Sequence, residues 1–193
     1  MLTTAILAGG RSRRMGSDKA LLVLKGKPVL RHVIERAALH GAAIILIANE
    51  PEKYASFGLP IFPDVKLGAG SLGGLYTALA HSPTDYALCV ACDMPLLNTN
   101  LLIYLAGLRE GYDAVVPRIE GRPEPFHAVY RKTCLESIRS RLERGQLRVS
   151  DFYQDVSTRY IEEADLRQID PELHSFLNIN TPDDLARVQA LLG

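Results

Sequence analysis

Arg11, Arg13, Arg14 and Lys19 crowd one short turn near the start of the chain, together with Gly9, Gly10 and Gly16. Cations placed this closely repel one another unless an anion sits among them. The adjacent pair Gly9-Gly10 lets the backbone turn sharply with no Cβ in the way, so that main-chain N–H groups can face a ligand at close range. Exposed amides and clustered cations together suit a polyphosphate. A second candidate is Asp93, which follows the apolar run Tyr86–Cys92 and precedes Pro95. A carboxylate in that place can hold one Mg²⁺, an ion that takes one or two carboxylates plus phosphate oxygens. It can also simply cap a helix. The chemistry these groups imply is electrostatic, with cations and a metal around phosphates and no nucleophile supplied by the protein.

Other patterns read as decoys. Gly68-Ala69-Gly70-Ser71-Leu72-Gly73 fits G-x-G-x-x-G, and Asp93 lies downstream. That fingerprint must leave a strand directly and open a helix, and Pro63-Asp64 interrupts any strand before it. The loop is expected to be a close-approach cover over a ligand, with Gly73-Gly74 starting the helix. Gly26-Lys27 runs into Pro28, so there is no Walker A sequence. Cys89-Val90-Ala91-Cys92 is literally C-x-x-C, but residues three apart on a strand face opposite ways, which favours core packing over chelation. His32, His40 and His81 read as helix-surface residues. His127 sits on a strand after Pro123-Glu124-Pro125 and faces either the cleft or the core.

The elements that must position these groups follow from apolar patterning. Thr3–Ala8, Ala43–Ala48 and Tyr86–Cys92 are continuous apolar runs, typical of parallel strands covered on both faces. An amphipathic helix is expected after the basic loop. A helix over Val29–His40 is closed by Gly41, and others are read at Leu75–His81, from Asn98 to about Arg109, at Arg131–Arg144, and after Thr181-Pro182, the N-cap and first position of the last helix. Further strands fall at Asp113–Pro117 and Phe126–Tyr130, with a short helix and an edge strand over Phe152–Ile161. Strands alternating with helices give an α/β fold: a Rossmann-like doubly wound, mostly parallel sheet with helices on both faces. Ligands of such sheets bind beyond the carboxyl ends of the strands. The loops carrying Lys19, Asn49, Asp64 and Asp93 therefore converge by topology alone.

The 193 residues carry 22 Lys+Arg and 22 Asp+Glu, a zero formal charge that argues against a general nucleic-acid binder. No apolar run approaches the roughly 20 residues of a membrane span, and Met1-Leu2-Thr3-Thr4 does not resemble a signal peptide. Three cysteines, an odd number, suggest reduced thiols and a cytoplasmic protein. One domain over 1–193 is expected, as a monomer or weak oligomer, with a nucleotide-binding N-terminal half and an acceptor-binding C-terminal half.

Leu7-Ala8-Gly9-Gly10, followed by Ser12, Arg14-Met15-Gly16 and Asp18-Lys19, resembles the signature of nucleotidyltransferases that activate small molecules with NTP. Within that group the chain is most similar to the molybdenum cofactor guanylyltransferases. Pro63-Asp64, Gly70-x-Leu72-Gly73-Gly74-Leu75, Cys92-Asp93-Met94-Pro95-Leu96 and Phe176-x-Asn178-Ile179-Asn180-Thr181-Pro182-x-Asp184-Leu185 agree with it in order along nearly the whole chain. Relatives that use CTP carry Leu-Ala-Ala-Gly in the first loop and usually Asp-Ile-Asp-Thr-Pro near the end. This chain has the GTP-type version at both places.

The resemblance implies that the terminal phosphate of molybdopterin attacks the α-phosphorus of Mg·GTP, releasing pyrophosphate and forming molybdopterin guanine dinucleotide. Carried over by position, Leu7, Ala8, Gly9 and Gly10 line the nucleotide. Arg13, Arg14 and Lys19 hold the triphosphate, with Arg14, Lys19 and Asp93 as the catalytic set. Asp64 lies at the guanine–ribose site, with Asn49 on the same side, and Asp93 binds Mg²⁺. Asn178, Asn180 and Arg148 face the pterin. Other proteins of molybdenum cofactor biosynthesis are the implied partners, with no nucleic acid and no membrane. The chain departs from the pattern at Ser71, where the family often has Pro, and at Glu124, where many members have Gln. A Glu beside an anionic phosphate is unfavourable, so this loop implies different pterin contacts. Two alternatives stand beside this reading. One is nucleotidyl transfer to another acceptor, either by a CTP-dependent cytidylyl transfer or to a sugar or alcohol phosphate. The other is a non-catalytic nucleotide-binding module.

Overall fold

The computed structural model describes residues 1–8 and 18–193. The expectations for Gly9, Gly10, Arg11, Arg13, Arg14 and Gly16 lie outside the described residues. The chain opens with β1 (Thr3–Leu7), then a 3₁₀ turn at Lys19–Leu21 and a small hairpin of β2 (Val23–Leu24) and β3 (Lys27–Pro28). Next come α1 (Val29–Ala37), β4 (Ala43–Ile47), a 3₁₀ segment at Pro51–Phe57, β5 (Ile61–Phe62), α2 (Gly70–His81) and β6 (Tyr86–Ala91). The second half holds α3 (Thr99–Gly107), β7 (Ala114–Ile119), β8 (Arg122–Pro123), β9 (His127–Arg131) and α4 (Cys134–Glu143). It ends with a 3₁₀ segment at Val149–Asp155, β10 (Thr158–Ile161), α5 (Glu163–Arg167), a 3₁₀ turn at His174–Phe176 and α6 (Pro182–Leu191).

The main sheet runs β10-β7-β9-β6-β1-β4-β5, with β8 paired to β7. β1 pairs in parallel with β4 on one side and β6 on the other. The chain winds outward from β1 through β4 to β5, then returns to the opposite side of β1 as β6. The crevice between β1 and β6 is therefore the topological switch point, where such sheets bind ligands. β9 is antiparallel to both β6 and β7. The connection from β7 to β9 is too short for a crossover, and short connections give antiparallel neighbours. The sheet is mostly parallel, as the alternation of elements predicts.

The central strands are apolar on both faces because both are covered. Ile6, Leu46, Leu88 and Val90 point into one core layer, with residues of α1 and α3. Ala5, Ile45, Ile47 and Cys89 point into the other, against α2 and α4. Cys89 and Cys92 fall in opposite layers, as a spacing of three requires, and Cys89, Cys92 and Cys134 are all free thiols. A third cluster, built from Leu24, Val29, Leu96, Ile179 and Val188, docks α6 and the segment before it onto the β2–β3 hairpin. Among the described residues no helix is long and apolar enough to cross a membrane.

Several boundaries differ from expectation. The segment after the basic loop is a 3₁₀ turn and a hairpin, and the first α-helix waits until Val29. Lys25 and Gly26 both have positive φ, which makes the tight turn that folds β2 back on β3. α1 ends at Ala37, and Gly41 (φ +73°) shapes the turn before β4 instead of capping the helix. α2 begins at Gly70, not at Gly73. β9 runs on to Arg131, so α4 starts only at Cys134.

Gly73 lies in the first turn of α2, where a Cβ would stand 2.6 Å from the Ala69 Cβ and 3.3 Å from the Lys66 carbonyl oxygen. Gly73→Ala is expected to destabilise the protein by about 1–3 kcal/mol through overpacking, read as a lowered Tm in thermal unfolding. An unchanged Tm would show that the loop before α2 yields freely.

Candidate active site

The carboxyl ends of β1, β4, β5 and β6 open into a cleft of about 450 Å³. Leu7 and Ala8 form the β1 wall, and Ala91, Cys92 and Asp93 continue β6 along the other side. β6 stops at Ala91, and the chain turns through Asp93 toward Pro95. Asp93 is thus delivered to the mouth of the switch-point crevice by the most buried part of the sheet.

Lys19 meets Asp93 there. Its Nζ lies 3.6 Å from Asp93 Oδ2, and both side chains are less than one-fifth exposed. Burial pushes the Asp93 carboxyl up, and the Lys19 ammonium pulls it back toward the charged form. Lys19 Nζ also donates to Asn180 Oδ1 at 2.5 Å. Lys19 is aimed by its neighbour Asp18, which caps the 3₁₀ turn. Asp18 Oδ1 accepts from the Ala20 N–H at 3.1 Å, and Oδ2 accepts from the buried Tyr54 hydroxyl at 2.6 Å. Burial and the Asp18 carboxylate both push the Tyr54 phenol up, so Tyr54 stays a donor.

The opposite wall comes from near the C-terminus. The Ile179 N–H donates to the Asp93 carbonyl at 2.9 Å, tying this segment to the end of β6. Asp184 Oδ2 accepts from the N–H groups of Asn180 and Thr181, and Thr181 Oγ1 accepts from the Asp184 N–H. This is a capping box with Pro182 at the first helical turn, as the sequence predicts. The same bonds hold the Asp184 carboxyl below the usual range. The cap starts α6 and also fixes Asn180 beside Lys19.

Asn49 and Asp64 form a reciprocal pair. Asn49 Nδ2 donates to Asp64 Oδ2 at 2.9 Å, and the Asp64 N–H donates to Asn49 Oδ1 at 2.8 Å. Asp64 Oδ1 is buried with no partner among the described residues. Gly74 packs beside it and makes room for Leu7, whose Cδ2 would lie 3.0 Å from a Cβ there. A buried acceptor without a donor is costly, and it belongs to a residue that lines the cleft.

The structure brings together Leu7, Ala8, Lys19, Asp64, Asp93, Asn178 and Asn180, with Asn49 one bond behind Asp64. Arg148 does not line the cleft. It precedes the 3₁₀ segment at Val149, is 82% exposed and approaches Asp151 at 4.0 Å. Gly9, Gly10, Arg13 and Arg14 lie outside the described residues. His127 resolves to the core: it is fully buried, with its ring 4.3 Å from that of Phe176 and Nε2 3.4 Å from Ser175 Oγ. Asp18, Ser71, Gly74, Met94, Glu124 and Phe126 also line the cleft. The cue for Asp18 was its place as an Asp directly before the turn that carries Lys19, where an N-cap is expected.

A divalent ion fits this site through Asp93. No group of three or more His, Cys, Asp or Glu among the described residues could cage a metal. One cleft-facing carboxylate completed by phosphate oxygens is the arrangement Mg²⁺ commonly takes.

The family described as MobA-like NTP transferase domain matches residues 4–158, which includes every strand of the nucleotide side of the cleft. The chain belongs to this family. It is a nucleotidyltransferase. It is 38% identical over 189 residues to a probable molybdenum cofactor guanylyltransferase of Pelotomaculum thermopropionicum, covering 98% of this chain and 92% of that one. It is 34% identical to the molybdenum cofactor guanylyltransferase of Desulfosudis oleivorans, covering 99% of this chain and 96% of that one. Among solved structures it is similar to molybdopterin-guanine dinucleotide biosynthesis protein A of Archaeoglobus fulgidus, with a TM-score of 0.87, 30% identity, and 100% and 98% of the two chains covered. A CMP-2-keto-3-deoxy-manno-octonic acid synthetase complexed with CTP shares the fold alone, with a TM-score of 0.72 at 17% identity.

His127 gives this transferase a defined acid sensitivity. Burial lowers its pKa from 6.5 to about 3. Below pH 6.5 the unfolded chain binds a proton that the folded chain refuses, so stability falls as pH drops from 6.5 toward 3. The slope approaches about 1.4 kcal/mol per pH unit. His127→Leu is expected to flatten the loss between pH 6.5 and 5, measured by denaturant unfolding. An equal slope in both proteins would show that another group titrates.

Proposed function

We propose that this chain transfers GMP from Mg·GTP to the terminal phosphate of molybdopterin, releasing pyrophosphate and forming molybdopterin guanine dinucleotide. The observation that carries the reading is the Lys19–Asp93 pair at the switch point, linked through Asn180 to the segment that forms the opposite wall. In this reading one cation and one carboxylate stand where a nucleotide on the β1 side meets an acceptor on the Asn178–Asn180 side. The guanylyltransferase names of relatives covering nearly the full chain support the choice of substrates.

In this reading the nucleotide lies along Leu7 and Ala8, with Asp64 at its base or ribose. The acceptor phosphate oxygen forms a bond to the α-phosphorus, and the bond from that phosphorus to the bridging oxygen of the β-phosphate breaks. Pyrophosphate carries the electron pair away. Lys19 leaves Asn180 for the triphosphate and offsets charge that builds in the transition state. Asp93 would hold Mg²⁺, which supplies neutralisation of the phosphate charge when bound. Arg13 and Arg14, on the basic loop, are assigned to the same phosphates. No side chain need act as nucleophile, because the acceptor brings its own.

Asp93→Ala is expected to lower pyrophosphate release by about a hundredfold or more while GTP binding stays measurable by calorimetry. Equal turnover in variant and wild type would remove Asp93 from the chemistry. In the same calorimeter the wild-type protein with Mg²⁺ is expected to prefer GTP over CTP and ATP, and a CTP preference would overturn the guanylyl assignment.

A further inference from the structure

Glu124 stands in the cleft wall, which Phe126, Asn178 and Asn180 also line. Its carboxylate forms no ion pair or side-chain hydrogen bond among the described residues, and burial alone pushes its pKa up. Its backbone is fixed on both sides. The Glu124 N–H donates to the Pro117 carbonyl at 2.9 Å. The next carbonyl, that of Pro125, accepts from the Tyr130 hydroxyl at 2.9 Å, and that hydroxyl is bonded in turn to the buried Tyr153 hydroxyl at 2.7 Å. Pro123 and Pro125 restrict φ on either side of it. A partly desolvated carboxylate without a cation, carried on a backbone anchored on both sides, suits a ligand that brings hydrogen-bond donors.

The phosphate of the acceptor is the wrong partner for it, since two anions at close range repel. That phosphate belongs at Lys19 and the metal site. The other end of the acceptor is a flat 2-amino-4-oxo heterocycle whose N3–H and 2-amino group form a donor–donor edge. A carboxylate accepts two parallel hydrogen bonds from such an edge, as it does from a guanidinium, and Phe126 supplies an aromatic surface beside it.

We propose that Glu124 is the specificity residue for the acceptor, its two carboxylate oxygens accepting the N3–H and 2-amino hydrogens of the pterin. This rests on the guanylyl-transfer reading above and adds the acceptor's orientation, with the phosphate at Lys19 and the ring at Glu124.

The test compares wild type, Glu124→Gln and Glu124→Ala in steady-state guanylyl transfer, and measures competitive inhibition by pterin and by lumazine, its 2-oxo counterpart without the amino donor. In the wild type the pterin is expected to inhibit at least about tenfold better than lumazine. Glu124→Gln is expected to erase that preference and raise the KM for molybdopterin by about tenfold, with Glu124→Ala higher still and the KM for GTP unchanged in both. The unchanged GTP KM reports that the variants are folded. A molybdopterin KM that is unaltered or lower in Glu124→Gln overturns the assignment and makes the carboxylate a repulsive element. Failure of the wild type to transfer GMP to molybdopterin at all overturns the functional reading beneath it, and this proposal with it.

Discussion

A carboxylate at the end of a central strand needs a cation, because moving an unpaired charge out of water costs several kcal/mol. Asp93 meets that need through Lys19 at 3.6 Å, and much of the cleft is arranged to keep Lys19 there. Asp18 caps the turn that carries it, and Tyr54 holds Asp18 from the segment after β4. Asn180 takes its ammonium from the far wall, and the capping box of α6 fixes Asn180. Segments from the start, middle and end of the chain thus meet on one ion pair. In the proposed reaction the pair breaks when phosphates arrive, the ammonium going to the triphosphate and the carboxylate to a metal ion.

Much of this arrangement was legible in the sequence because it rests on local rules. Continuous apolar runs announce strands covered on both faces, as Ile44–Ile47 and Ala87–Val90 are. Once strands alternate with helices, topology alone places Lys19, Asp64 and Asp93 at one crevice. Thr181-Pro182 signalled α6 through capping chemistry that needs no tertiary information. What could not be read depended on long-range competition. The stretch from Ala20 to Leu24 is apolar enough for a helix, yet Ala20 and Leu21 pack on the core and Leu22 and Leu24 against α6, as a turn and hairpin. The antiparallel insertion of β9 between β6 and β7 is a choice of partner, not of local conformation.

His127 and Arg148 show where reading the site stops. On an alternating strand, His127 can face either way until the register with β6 is known. Pairing opposite Val90 puts it in the layer with Phe176. Arg148 follows a helix C-terminus, and nothing local says whether the chain then turns toward the cleft or away. It turns away, since Val149 and Phe152 bury themselves under α4 and carry the segment to β10.

The two sides of the cleft are held by different kinds of structure, and this bears on how substrate choice can vary on one fold. On the side proposed for the nucleotide, Leu7 lies so close to Gly74 that a methyl group there would stand 3.0 Å from Leu7 Cδ2. That wall resists added volume, since a packed interior transmits it. The side proposed for the acceptor hangs on a short turn between β8 and β9 and on the segment before α6, anchored through the Glu124 N–H, the Pro125 carbonyl and the Asn180 N–H, which leaves the Glu124 side chain free. Side chains at positions such as Glu124 can therefore be exchanged without disturbing the Lys19–Asp93 pair. In the proposed reaction this keeps the transfer chemistry at Lys19 and Asp93 separate from recognition of the acceptor, which can then vary on one fold.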